Sequence, residues 1–356
     1  MDKFISNPYI IFLLYFLVTS AFSYLIYSIV LRFASTLGIR ETNDQPSRWA
    51  STQKPALGGI CFYIIFLFSI AFYPFFFREE AFYFSREFIG FVAAATLAFL
   101  MGLADDAYDT KPFLKLVVQI LCGVILVSSG TSIELFNNEY LDTSLTIIWV
   151  VGIMNSINML DNMDAITTLV AICILLYIIF SRFILGEQTG IYVFMLIGLT
   201  AALIVFLYFN WYPSRMFMGD TGSQLLGLVL AAGGISSCWE SGDMEGEMMV
   251  SKQLLSVLLV FIIPITDTAT VVINRMLRGR SPFVGGRDHT THALFFRGVT
   301  ERRIAVLFTG LSLAGAGSSL LILSIPVWSF LYFAIFLSYF LVVFLTLFFL
   351  NRITIR

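Results

Sequence analysis

Long runs of apolar residues, each broken by a short polar stretch, recur along the whole chain. A bilayer core of about 30 Å needs about 20 apolar residues per helix, and the runs have that length. The pattern predicts eleven helices, over 9–33, 57–77, 88–104, 113–129, 144–159, 165–185, 190–209, 222–236, 253–274, 303–325 and 327–350. A transmembrane barrel would show alternating runs of about 10 residues, whereas these are uniformly apolar. The first run is too long for a signal-peptide core and lacks a small-residue cleavage site, so it is expected to be retained. The hinge near Pro326 decides the count, and without it the spans number ten. The expected fold is all-α, a polytopic integral membrane protein with one transmembrane domain over 1–356.

Composition agrees. The chain is 58% hydrophobic and 12% charged, with a mean hydropathy of +0.89, against about 45–50% and about 25% in soluble domains. Too few charges are present to cover a water-facing surface, which excludes a soluble two-domain enzyme, a disordered chain and a coiled coil. A net charge of −2 leaves no footprint for nucleic acid. Cys61, Cys122, Cys173 and Cys238 are scattered without metal-ligand spacing and read as small packing residues.

Basic residues set the orientation, because Lys and Arg concentrate in cytoplasmic loops. With the N-terminus outside, the inner loops receive Arg32, Arg40, Arg48, Lys54, Lys111, Lys115, Arg215, seven arginines from Arg275 to Arg303, Arg352 and Arg356. The outer side receives Lys3, Arg78, Arg86, Arg182 and Lys252. An odd number of spans then puts the C-terminus in the cytoplasm.

On this map the outer loops hold acidic connectors, such as 134–142 and 240–247, while the inner loops hold denser polar clusters. Asp105-Asp106 lie side by side with Asp109 one turn on; adjacent carboxylates repel unless a cation or a shared proton relieves them. Asn155, Asn158, Asp161 and Asp164 recur every three residues and would form one polar stripe on a helix. Such a stripe either lines a cavity or ties helices together. Between Asn210 and Ser223, Gly219 and Gly222 allow close backbone approach, and Asp220 stands at a helix start, where it either caps the helix or serves an anion site. The long loop 275–303 gathers Gly285, Gly286, Arg287, Asp288, His289 and His292. Asp267 lies inside an apolar run, where an ionisable residue is either functional or accepts helix-to-helix hydrogen bonds. The loops 34–56, 105–112, 155–164, 210–221 and 275–302 would together form one site. Carboxylates that hold Mg²⁺, with Gly turns, Arg and His against transferring charge, suggest phosphate chemistry.

These motifs, in order, resemble those of the polyprenyl-phosphate N-acetylhexosamine-1-phosphate transferases, which include the GlcNAc-1-phosphate transferases and the phospho-MurNAc-pentapeptide translocases. Asp105-Asp106 with Thr110-Lys111-Pro112-Phe113-Leu114-Lys115-Leu116 and Gln119 looks like the family's aspartate-rich loop. Asn155-xx-Asn158-xx-Asp161-Asn162-x-Asp164-Ala165 looks like Asn-xx-Asn-xx-Asp-Gly-x-Asp-Gly, with Asn162 and Ala165 in place of the glycines. Phe217-Met-Gly-Asp220-Thr-Gly-Ser223 matches Phe-Met-Gly-Asp-x-Gly-Ser, and Pro55-Ala-Leu-Gly58-Gly59 is like the Gly-Gly motif of the first inner loop. The last loop reads His289-Thr290-Thr291-His292 where the family has His-x-His-His, so Thr291 stands at the middle His.

The resemblance implies an enzyme of the cytoplasmic membrane with its site facing the cytoplasm. UDP-linked amino sugar and polyprenyl (undecaprenyl) phosphate would give polyprenyl-diphospho-sugar and UMP, with Mg²⁺, or Mn²⁺ in its place, on the diphosphate; a covalent phospho-Asp route and direct displacement both remain open, and direct displacement is favoured. It implies Asp220, Asp106 and Asn158 at the metal, Asp105 as base or orienter of the lipid phosphate, and Asp161 and Asp164 in the nucleotide–metal cleft. Asn155 would join the substrate contacts. Asn210 and Phe217 would meet uracil, Arg287, His289 and His292 the diphosphate side, and Lys111 or Lys115 the lipid phosphate. UDP-GlcNAc is the default donor, the pentapeptide transferase of peptidoglycan synthesis is the near alternative, and a homodimer is compatible. A secondary transporter would place polar residues at the midplane and show inverted repeats, which the pattern lacks.

Overall fold

The structure is a computed structural model that describes residues 8–34, 54–77, 85–186, 190–240, 242, 249–281 and 286–354. Most of the basic loop 34–56, the acidic stretch 243–247 and Gly285 of the last loop lie outside these residues. Among the described residues the chain is helical, with no strand. The helices are α1 (Pro8–Phe33), α2 (Gly58–Phe72), α3 (Arg86–Tyr108), α4 (Pro112–Ser129), α5 (Glu139–Leu160), α6 (Ile166–Ile184) and α7 (Ile191–Asn210). They continue with α8 (Gly219–Gly234), α9 (Val250–Val260), α10 (Ile262–Leu277), α11 (Thr290–Phe296), α12 (Glu301–Ser324) and α13 (Phe330–Thr354). Among the described residues ten spans are long and apolar enough to cross a membrane, and counting the bent pair α9–α10 as one span makes eleven. The protein is a multi-pass membrane protein, as the apolar runs predict.

The helix α8 is the axis of the bundle. Of its apolar window 94% is buried, against 28% for α1 and 17% for α13, whose apolar faces remain outward. The helices α3, α5 and α2 pack around α8. Small residues make this approach close. A methyl group on Gly59 would overlap the backbone of Gly222, and one on Gly102 would overlap that of Asp220 and Thr221. Backbone contact of this kind draws the ends of α2 and α3 onto the first turn of α8.

Three boundaries differ from the sequence expectation. The helix α3 continues to Tyr108, so Asp105 and Asp106 occupy its last turn rather than a loop. Asp109 then ends it in the left-handed region at φ 53°, a conformation that a short polar side chain tolerates, and Pro112 opens α4 at a position that needs no N–H. The helix α5 starts at Glu139, ahead of the expected 144, because the Asn138 side chain accepts from the backbone N–H groups of Tyr140 and Leu141. The expected helix 253–274 is bent by 79° between α9 and α10. Pro264 cannot give the backbone hydrogen bond that would carry α9 onward, yet it is tolerated in the first turn of α10.

Candidate active site at the converging helix ends

The first turn of α8 organises the site. Gly219 enters it at φ 75°, a conformation that suits glycine. The preceding segment is stitched to the start of α2: Phe217 N–H donates to Pro55 O (2.9 Å), Gly58 N–H to Phe217 O (3.1 Å) and Gly59 N–H to Met218 O (3.0 Å). The N-cap residue Met218 offers no side-chain cap, and the cap comes from α3 instead. Asp106 Oδ1 accepts from Asp220 N–H (2.9 Å), and Oδ2 accepts from Thr221 N–H (2.8 Å) and the Thr221 hydroxyl (2.6 Å). A carboxylate there satisfies free N–H groups and sits at the positive end of the helix dipole.

With Asp106 turned onto the backbone, Asp220 points the other way. Its Oδ2 accepts from Lys115 Nζ at 2.6 Å and its Oδ1 from Asn158 Nδ2 at 2.9 Å. Lys115 Nζ also donates to Asp105 Oδ2 at 2.9 Å, so one ammonium bridges two carboxylates. The other oxygen of Asp105 is held by Thr110, through its N–H at 3.0 Å and through its hydroxyl. Asn158 Nδ2 also donates to Ser223 Oγ (2.8 Å). Asp161 follows as the C-cap of α5, three residues beyond Asn158. The motifs of α3, α4, α5 and α8 therefore meet at one point. Lys115 is the lysine brought into it, whereas Lys111 stands exposed at the N-cap of α4.

Other residues of the motifs build the walls. Asn155 forms an amide pair with Gln119 (2.7 and 3.3 Å), and Gln119 also donates to Gln224 (3.0 Å). Of the two roles open to the polar stripe, Asn155 takes that of tying helices, and Asn158 faces the acidic cluster. Asn210 is buried; it accepts from Ala165 N–H (3.0 Å) and the Thr168 hydroxyl (2.9 Å), and donates to Met216 O (3.1 Å). Asp164 holds Ser214 through its N–H and hydroxyl at 2.9 and 2.8 Å. Lys54 lies 3.6 Å from Asp164, donates to Ser214 Oγ at 3.0 Å and stands 5.1 Å from the centre of the Phe217 ring. Lys54 is a charged member of this wall absent from the sequence-predicted residues; its place just ahead of Pro55-Ala-Leu-Gly58-Gly59 was the available signal.

The last loop forms a second cluster. Asp267 on α10 is buried; its Oδ2 meets His289 Nδ1 at 2.8 Å, and its Oδ1 accepts from Thr290 N–H (2.8 Å) and the Thr290 hydroxyl (2.6 Å). His292 lies buried beside His289, with ring centroids 5.6 Å apart. Burial, followed by the electrostatic influence of the neighbouring His289, pushes the pKa of His292 down to about 4, so His292 is neutral at pH 7. Arg275 grips Asp288 with Nε at 2.7 Å and Nη2 at 2.5 Å. Burial disfavours the Asp288 charge, but Arg275 outweighs it and holds the carboxyl below its usual range. Asn351 on α13 donates to Asp288 O at 2.7 Å, which ties the last span to this loop. Arg287 is exposed beside it. Thr291 links the cluster to the turn after α5, with its hydroxyl 2.7 Å from Asn162 Oδ1.

The family profile described as glycosyl transferase family 4 matches residues 88–237, which run from α3 through α8 and contain the acidic cluster. The chain is 24% identical over 328 residues to a probable undecaprenyl-phosphate N-acetylglucosaminyl 1-phosphate transferase of Bacillus subtilis, covering 89% of this chain and 85% of that one. It is 29% identical over 260 residues to a decaprenyl-phosphate N-acetylglucosaminephosphotransferase of Mycolicibacterium smegmatis, covering 64% and 62%. Similarity extends to a phospho-N-acetylmuramoyl-pentapeptide-transferase of Streptococcus agalactiae, at 29% over 209 residues, or 53% of this chain and 61% of that one. The resemblance drawn from the motifs holds.

Proposed function

We propose, from a multi-pass membrane protein that carries a glycosyl transferase family 4 segment at residues 88–237, the transfer of an N-acetylhexosamine 1-phosphate from a UDP-sugar to polyprenyl phosphate. The donor is UDP-GlcNAc, the acceptor undecaprenyl phosphate, and the products are polyprenyl-diphospho-GlcNAc and UMP. The GlcNAc-1-phosphate assignment follows relatives matched over 89% and 64% of the chain, against 53% for the pentapeptide transferase. The observation that carries the reading is the bridge of Lys115 between Asp105 and Asp220 at the end of apolar helices. A cation amid carboxylates at a span's end is where a lipid phosphate can be drawn in and its charge managed.

The donor set fits Mg²⁺. Asp105 and Asp220 share a single lysine, with Asp106 next to them on the cap of α8, which leaves an excess of negative charge and hard oxygen donors. Among the described residues no three acidic, histidine or cysteine side chains already face one metal position. Mg²⁺ is usually held by one or two carboxylates together with water and substrate phosphates. Asp220 and Asn158 would hold the ion from the protein, and its chemistry would be to polarise the diphosphate and offset the charge on the departing UMP. Asp106 supports it indirectly by fixing the first turn of α8.

Lys115 orients the attacking lipid phosphate, already ionised at neutral pH, while Asp105 holds the lysine in line. The attack falls on the β-phosphorus in one direct displacement. Asp161 and Asp164 border the nucleotide side, Phe217 and Lys54 offer a ring and a charge to the uridine, and His289, His292 and Arg287 close the diphosphate side. This site faces the cytoplasm of the inner membrane. Tyr108 is 80% exposed while the four native cysteines are buried, so Y108C should react with an impermeant maleimide in inverted vesicles; labelling in intact cells would reverse the orientation.

The decisive assay is the transfer of radiolabel from UDP-GlcNAc, UDP-GalNAc and UDP-MurNAc-pentapeptide to undecaprenyl phosphate, with and without Mg²⁺. Label from UDP-GlcNAc in the lipid fraction, lost in D220A, is the expected result. Transfer from the pentapeptide nucleotide alone would replace the GlcNAc reading, and no transfer from any donor would remove it.

A further inference from the structure

Asp267 is a carboxylate set in the wall of the bundle, 1% exposed. Its three hydrogen-bond partners come from two consecutive residues of the last loop: His289 Nδ1 at 2.8 Å, Thr290 N–H at 2.8 Å and the Thr290 hydroxyl at 2.6 Å. The Thr290 donors share Oδ1 and leave Oδ2 to the imidazole alone. An ionised carboxylate can only accept. His289 Nδ1 must therefore carry a proton, and the ring nitrogen left for the substrate is Nε2.

Capping α11 alone would account for Oδ1 but not for Oδ2. Holding the loop alone would be served by Arg275, which already grips the neighbouring Asp288. What Asp267 adds is a defined ring orientation, a defined proton position and a negative charge that compensates an imidazolium. We infer that Asp267 is a positioning residue that acts through His289, fixing Nδ1 as the protonated nitrogen so that Nε2 is presented to the sugar diphosphate. This rests on the reading of His289 as a residue of the diphosphate side. When the ring takes a second proton, that proton lies on Nε2, and Asp267 stabilises the resulting charge.

The substitution D267N separates this role from a structural one. Asparagine keeps the shape, and its carbonyl oxygen can still accept from Thr290. Its NH₂ group would face His289 Nδ1, which must then accept, so the proton of the neutral ring moves to Nε2. The chain has two histidines, so ¹⁵N-histidine labelling of the protein in detergent yields two ring systems, assigned with H292Q. In its neutral state, wild-type His289 should be in the Nδ1–H form and D267N in the Nε2–H form. In the transfer assay D267N should lower kcat by about 10²-fold or more, with KM for UDP-GlcNAc changed only a few-fold. D267N should also have no further effect in an H289A background.

Wild-type His289 found as the Nε2–H tautomer would overturn the inference even if D267N failed to fold. So would an inactive H289A beside a fully active D267N, or a further loss on adding D267N to H289A, which would assign Asp267 a structural task. Absence of transfer from every UDP-sugar would sink the proposed function, and the tautomer would still decide whether Asp267 sets the proton.

Discussion

The hydroxyl of Thr291 and the side-chain carbonyl of Asn162 lie 2.7 Å apart, and these are two of the positions at which the chain departs from the motifs it resembles. Asn162 stands where a glycine is expected and Thr291 where the middle histidine is expected. The pair joins the last loop to the turn after α5, and Asn162 is itself fixed by its NH₂ group on Met159 O at 2.9 Å. The two departures are thus parts of one contact, a tie that positions the start of α11 and, with it, His289.

A double-mutant cycle on N162A and T291V should therefore show coupling. Each single change leaves a polar group without its mate, and the pair removes both. The expected coupling is about 1 kcal/mol in thermal stability, with the double variant no less active than either single. Additive losses in both measures would mean that the two residues act independently.

Much of this was legible in the chain, and the reason differs by element. The helices declared themselves because each apolar run is as long as a bilayer is thick. The polar side of the bundle followed from the clusters at the run ends. What was not legible depends on partners far apart in sequence. The resemblance places Asp106 at the metal, but nothing local shows that its oxygens meet the backbone of Asp220 and Thr221, 114 and 115 residues away. Lys115 meets Asp220 across 105 residues, and no local pattern distinguishes it from Lys111. Asp267 stood out as a charge in an apolar run, while its partnership with His289 needed the fold. The break between α9 and α10 was signalled by Pro264 but hidden by the continuous apolar run around it.

Lys115 Nζ occupies the Asp220 oxygen that a divalent cation would use. Replacing the lysine by methionine leaves Asp105 and Asp220 without their shared ammonium and so raises the negative potential at that point. K115M should bind Mn²⁺ about tenfold more tightly by electron paramagnetic resonance, while transfer falls by about 10²-fold because the lipid phosphate loses its cation. Weaker Mn²⁺ binding in K115M would show that the lysine does not share the cation's position.

Asp106 caps a helix that forms the axis of the bundle, so its loss should register as stability even where no cation is involved. D106A deprives two backbone N–H groups and one hydroxyl of their acceptor, and the cost should be about 2 kcal/mol. D106N keeps acceptor capacity but loses the charge at the helix start, and should fall between. The measurement is thermal unfolding in detergent with EDTA present. A D106A protein that melts with the parent under those conditions would return Asp106 to a purely cation-holding role.

Acid should loosen the last loop through His292. Burial, followed by the nearby charge of His289, lowers its folded-state pKa to about 4, against about 6.5 in an unfolded chain. As pH falls below 6.5 the unfolded chain takes up the proton first, so the contribution is fully present above that value. It is lost progressively between about 6.5 and 4. The full loss is on the order of 3 kcal/mol by linkage. Unfolding temperature in detergent should therefore drop across this interval in the wild-type protein, and the slope should flatten in H292Q, which cannot take up the proton. An equal slope in both proteins would assign the acid sensitivity to groups other than His292.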